Sequence, residues 1–106
     1  MDRLNSYDKI ILDGFGTLYD KNYFPLEGAN ELLKITNENS VLFSNIGSKT
    51  GKTLRDSIST KFDILPKNII TSFDLLLSYI SESRIKKICH FGGENAEIEL
   101  KKNGVI

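Results

Sequence analysis

An α/β fold is predicted: a Rossmann-like parallel sheet with flanking helices. Three observations carry this expectation. Short β-branched runs alternate with longer amphipathic stretches, and that alternation is the signature of βαβ units. The first run, Ile10-Ile11-Leu12, is continuously apolar, as a strand buried on both faces should be. The strand-like runs end in small polar or glycine residues, where the sheets of such folds present their ligand-binding edge.

The elements follow in order. Ile10-Ile11-Leu12 reads as the first strand and stops at Asp13-Gly14. A stretch rich in turn formers and aromatics runs from Gly14 to Pro25. A helix is expected to start near Pro25-Leu26-Glu27, with proline in the first turn and Glu27 at the positive helix end. Its apolar face would be Leu26, Ala29, Leu32, Leu33 and Thr36, and Asn37 to Ser40 would end it. Val41-Leu42-Phe43 is the second strand and terminates at Ser44-Asn45. A second helix is predicted over 50–61, with Leu54 and Ile58 facing inward. Ile69-Ile70 makes a brief third strand, and Thr71-Ser72 then offers a helix cap before Asp74. A fourth strand is predicted over 85–91. Gly92-Gly93 then turns into a last helix over 94–102, with Asn103-Gly104 as its C-cap. No internal repeat or low-complexity tract interrupts the pattern.

Length and composition narrow the function. One domain, or part of one, is what 106 residues allow. Acidic and basic residues balance at 14 each, so no net field favours nucleic acid or an anionic membrane surface. No apolar run approaches the roughly 18 residues of a membrane span, and the N-terminus lacks a signal-peptide core. The single cysteine, Cys89, forms no internal disulfide, which suits a reducing compartment. A cytoplasmic location is therefore the expectation.

Asp13 is the leading chemical candidate. An aspartate directly after a buried strand holds its carboxylate at the edge of an apolar wall, placed to act as nucleophile or to hold a divalent cation. Gly14 and Gly16 allow a tight backbone curl that turns N–H groups toward an anion. Thr17 adds a hydroxyl, and Ser44 and Asn45 would donate to phosphate oxygens if the first two strands are neighbours. The plainer alternative is that Asp13-Gly14 simply opens a turn.

The run Ile10-Ile11-Leu12-Asp13-Gly14-Phe15-Gly16-Thr17-Leu18-Tyr19 resembles the first motif of the haloacid dehalogenase superfamily, an apolar strand followed by Asp-x-Asp-Gly-Thr-Leu. Further features resemble its class IIA phosphatases in the right order. Pro25-Leu26-Glu27-Gly28-Ala29 is similar to that branch's helix start, Val41-Leu42-Phe43-Ser44-Asn45 to its second motif, and Ile69-Ile70-Thr71-Ser72 to its third strand end. Lys87-Ile88-Cys89-His90-Phe91-Gly92-Gly93-Glu94 looks like the opening of its α/β cap. The resemblance implies that 1–83 form the N-terminal half of the core and 84–106 begin the cap. It implies phosphoryl transfer through an aspartyl-phosphate on a small phosphorylated metabolite, with Mg²⁺ as cofactor. Asp13 would be nucleophile and metal ligand, and the Phe15 carbonyl a second metal ligand. Gly14, Phe15, Gly16, Thr17, Ser44 and Asn45 would hold the phosphate, while Tyr19, Tyr23 and Phe24 would form a flap or, as aromatic loop residues commonly do, simply anchor the loop.

Two departures weigh against activity. Where the family has the aspartate that protonates the leaving group, this chain has Phe15, and a positioned acid is typically worth about 10²–10⁴-fold. A dehalogenase-like displacement, whose halide needs no proton, stays open. The family's later lysine and acidic pair have no counterpart, since Glu94, Glu97 and Glu99 ride a surface helix. The expectation is a fragment or truncated product with little activity of its own.

Two other readings compete. Gly47-Ser48-Lys49-Thr50-Gly51-Lys52-Thr53 approaches a phosphate-binding P-loop, but Ile46 stands where the first glycine belongs. The unit would otherwise be a non-catalytic anion- or partner-binding module, a homo-oligomer included, because a half-complete sheet leaves apolar surface uncovered. Cys89 and His90 fall far short of the roughly four ligands of a zinc site.

Overall fold

The computed structural model describes residues 2–105. After a 3₁₀ turn over Asp2–Ser6 the chain forms β1 (Ile10–Leu12), α1 (Ala29–Thr36), β2 (Ser40–Ser44), α2 (Gly51–Ser59), β3 (Asn68–Thr71), α3 (Ser72–Glu82) and α4 (Glu94–Lys102). The three strands make one parallel sheet in the order β1-β2-β3. Leu12 lies opposite Leu42, which in turn faces Ile69. The predicted α/β class is the one observed, and strands one and two are neighbours.

Register decides which side chains share a face, because side chains alternate along a strand. Leu12, Leu42 and Ile69 point into the main core, where Ala29 and Leu33 of α1, Leu54 and Ile58 of α2, and Phe62 close over them. Leu54 and Ile58 face inward as their spacing predicts. The other face is open: Ile11 is 73% exposed, and the paired Phe43 and Ile70 stand partly exposed beside it. Parallel sheets are ordinarily covered on both sides, so this bare apolar face is unusual.

Local signals and tertiary contacts disagree at α1. The helix begins at Ala29 rather than near Pro25. Pro25 bridges Tyr19, and the Leu26 N–H donates to the Leu18 carbonyl at 2.9 Å. Those bonds hold residues 25–26 extended, and Gly28, at φ 87°, makes the turn into the helix. The second helix stops at Ser59, two residues short of its predicted end.

The predicted fourth strand is not formed: residues 85–91 pair with no strand. A strand exists only where a neighbour's ladder receives it. Here the Ile85 N–H goes instead to the Ile80 carbonyl at 3.0 Å. Ile85 and Ile88 pack against a second, smaller cluster, in which Phe73 and Ile80 of α3 meet Ala96 and Leu100 of α4. Phe91 is 94% exposed. The last helix has its predicted bounds. Val105 donates to Leu100 and Gly104 to Lys101, each at 3.0 Å, closing it in a Schellman motif.

Candidate active site

β1 ends one residue before Asp13, and the chain then winds into a tight turn. The Gly14 carbonyl accepts from Thr17 N–H at 3.0 Å and Leu18 N–H at 2.8 Å, while Gly16 N–H donates to the Tyr19 carbonyl at 2.9 Å. The turn drives Leu18 and Tyr19 into the core, where both are almost wholly buried. It also engages the amides of Gly16 and Thr17. The N–H groups of Gly14 and Phe15 meet no acceptor among the described residues. Of the backbone donors expected for an anion, these two are the ones left without a partner among the described residues.

Ser44 is the last residue of β2 and is buried, level with Thr71 at the end of β3. Its hydroxyl lies 3.5 Å from the Tyr19 hydroxyl. The Tyr19 ring packs at 5.3 Å from the Tyr23 ring and edge-on to Phe62 at 6.5 Å. Burial is the main cause that raises the Tyr19 pKa above tyrosine's ordinary value. The hydrogen bond with Ser44 works the other way, and the nearby Tyr23 and Asp13 add to the rise. The Asp13 carboxylate is thus within electrostatic reach of this phenol. Room for the phenol exists because residue 14 is glycine, whose Cα lies against the Tyr19 hydroxyl.

A cleft of about 260 Å³ opens here, lined by Phe15, Tyr19, Lys21, Tyr23, Ser44 and Asn45 among others. Asp20 closes its outer loop, accepting from Asn22 N–H at 2.8 Å and Phe24 N–H at 3.1 Å through Oδ1. Tyr23 sits at φ 68° and carries the ammonium groups of Lys49 and Lys61 at 5.5 and 5.9 Å from its ring centre. The structure therefore brings Phe15, Ser44 and Asn45 to one cleft, with Gly14 behind it. Asp13, Gly16 and Thr17 are exposed on the adjoining turn. Of the three aromatics expected to form a flap, Tyr19 is core, Tyr23 a half-buried wall, and only Phe24 is exposed. Sequence reasoning missed the contact of Tyr19 with Ser44; the one available signal was a glycine at position 14.

Among the described residues no three His, Cys, Asp or Glu side chains gather as metal ligands. The oxygen donors that the exposed residues Asp13 and Phe15 offer are the Asp13 carboxylate and the Phe15 carbonyl. A set of hard oxygens with one carboxylate fits Mg²⁺, which keeps several waters and takes further ligands from a bound phosphate. Glu97 and Glu99 are engaged on α4 with Lys101 at 3.3 Å and Lys102 at 3.9 Å.

Several groups of the 47–53 loop are already engaged within the protein. Gly51 N–H donates to Asp74 Oδ2 at 2.8 Å, Thr50 caps α2, and the Lys49 carbonyl accepts from Thr71 Oγ1 at 2.6 Å. A phosphate would find that glycine packed against the Ile69 carbonyl.

Comparison with known proteins agrees with this architecture. The crystal structure of a hypothetical protein, PH1952, from Pyrococcus horikoshii OT3 is similar, with 28% sequence identity and a TM-score of 0.70. The likeness covers 92% of this chain and 39% of that one, so the chain spans well under half of that protein's length. No curated protein matches. The family model of haloacid dehalogenase-like hydrolases matches residues 10–106, from the first residue of β1 onward. With the parallel sheet and the Asp13 turn, that match means that the chain belongs to the haloacid dehalogenase-like hydrolase family.

Proposed function

We propose that this chain carries the nucleophile half of a class IIA phosphatase site, acting on a small phosphorylated metabolite in the cytoplasm. Residues 1–83 supply the core half, and 84–106 the start of a cap. The observation that supports this reading is one cleft shared by the Ser44-Asn45 strand tip and the Phe15 turn, two residues along the chain from Asp13. In the proposed reaction an Asp13 carboxylate oxygen attacks phosphorus and the ester P–O bond breaks. The leaving oxygen takes its proton from water, because Phe15 has none to give. Water then cleaves the aspartyl-phosphate, releasing inorganic phosphate and restoring Asp13. The N–H groups of Gly14 and Phe15, the Ser44 hydroxyl and Asn45 hold the phosphoryl oxygens, where electrostatic clamping does most of the catalysis. Gly16 shapes the turn, and Thr17 presents its hydroxyl at the rim. Asp13 and the Phe15 carbonyl would hold Mg²⁺, which supplies charge neutralisation when bound.

Leaving groups test the role of residue 15. p-Nitrophenolate departs without a proton, whereas an alkoxide needs one. Phe15→Asp is expected to raise turnover of an alkyl phosphate by about 10²–10⁴-fold and that of p-nitrophenyl phosphate far less. Asp13→Asn should abolish turnover of both. Turnover that survives Asp13→Asn would sink this reading.

The bare sheet face favours a second, non-catalytic reading, association with another copy of this chain. Ile11, Phe43 and Ile70 present an uncharged patch next to the open edge of β1. Sedimentation should then show a concentration-dependent dimer that Ile11→Lys dissociates. A monomer at every concentration would exclude it. Among the described residues no helix is long and apolar enough to cross a membrane, and with 14 acidic and 14 basic residues no net field draws nucleic acid to the chain.

A further inference from the structure

We propose that Tyr19 is the positioning residue of the phosphate site: its hydroxyl donates to Ser44 Oγ and so directs the serine's own proton at the bound anion. This role rests on the phosphate-binding reading above. A serine hydroxyl has one proton and two lone pairs, and its hydrogen follows whichever partner is present. Ser44 can serve as a donor to phosphate only if its proton is not spent elsewhere. Among the described residues the Tyr19 hydroxyl is the one side-chain partner of Ser44.

Either hydroxyl can donate in that pair, and three features favour Tyr19. Its ring is held between Tyr23 and Phe62 in the core, so the phenol has little freedom to rotate away. The hydroxyl rests against the bare Cα of Gly14, the residue that opens the Phe15 turn. A phenol is ordinarily protonated at neutral pH and so has a hydrogen to give. The separation of 3.5 Å is long for two hydroxyls. Hydrogen bonds of catalytic sites are commonly long in the empty state and tighten once the ligand is bound.

Inorganic phosphate with Mg²⁺, titrated calorimetrically into the 106-residue chain, tests this. Tyr19→Phe removes one oxygen and leaves the ring packing in place. It is expected to weaken phosphate binding about five- to tenfold, the size of one lost hydrogen bond. In a Ser44→Ala background the same substitution should have no further effect, a non-additivity that mere packing damage would not produce. Tyr19→Phe binding as the wild type does, or weakening equally with and without Ser44, overturns the role of Tyr19 while the phosphate site stands. Failure of the wild-type chain to bind phosphate overturns the site and this role together.

Discussion

Asp74→Ala is expected to cost the protein about 2–4 kcal/mol of stability, although Asp74 lies outside the proposed site. Its Oδ2 accepts from Gly51 N–H and from Thr71 N–H, each at 2.8 Å, while its own N–H donates to Thr71 Oγ1 at 3.1 Å. One carboxylate therefore ties the start of α2, the end of β3 and the first turn of α3. The reciprocal Thr71–Asp74 pair is a capping box. Loss of the cap, which includes the Thr71 N–H, costs about 1 kcal/mol, and the half-buried Gly51 N–H left without an acceptor adds about 1–3 kcal/mol. A domain of this size holds only about 5–15 kcal/mol in total. Asp74→Asn keeps one acceptor oxygen and should lose less than half as much. Urea denaturation measures both, and an Asp74→Ala midpoint equal to the wild type's would refute the account.

Gly14→Ala should damage stability and phosphate binding at once. A Cβ at position 14 would overlap the Tyr19 hydroxyl and stand 2.7 Å from Cζ and 3.0 Å from Cε2. A flexible side chain would yield, but Tyr19 is 2% exposed with Tyr23 and Phe62 against its ring. Overpacking of this kind typically costs about 1–3 kcal/mol. Phosphate affinity should fall as well, since the Phe15 turn and the Tyr19–Ser44 pair would both be displaced. The clash depends on the ring, so Gly14→Ala should be far milder in a Tyr19→Leu background. Equal costs in the two backgrounds would show that the ring is not what position 14 must accommodate.

Features of this chain that depend on near neighbours were legible beforehand. The bounds of α4, the inward face of α2, and the cap at Thr71 follow from helical spacing and from side chains that bond three residues away. The two strand tips were legible too, because an apolar run that turns abruptly polar has to leave the sheet there. That rule singles out Asp13 and Ser44 without reference to which strands are adjacent.

The misreadings share a cause. Pro25-Leu26-Glu27 is a sound local helix start, yet the Leu18–Leu26 hydrogen bond and the bridge from Tyr19 to Pro25 outweigh it. Residues 85–91 have strand composition, but a strand is a property of two segments, and here no second one receives them. Tyr19 is expected with the loop aromatics over the site, but the Gly14 turn carries it into the core.

Hydrophobic period, capping residues and the polar ends of apolar runs are written in short windows of the chain, so α/β class and the Asp13 edge follow from residue order alone. Which strand lies beside which, which face is left bare, and which phenol meets Ser44 depend on contacts between residues about 25 positions apart. Those contacts form only where chain closure brings complementary surfaces together, and no local window encodes that meeting.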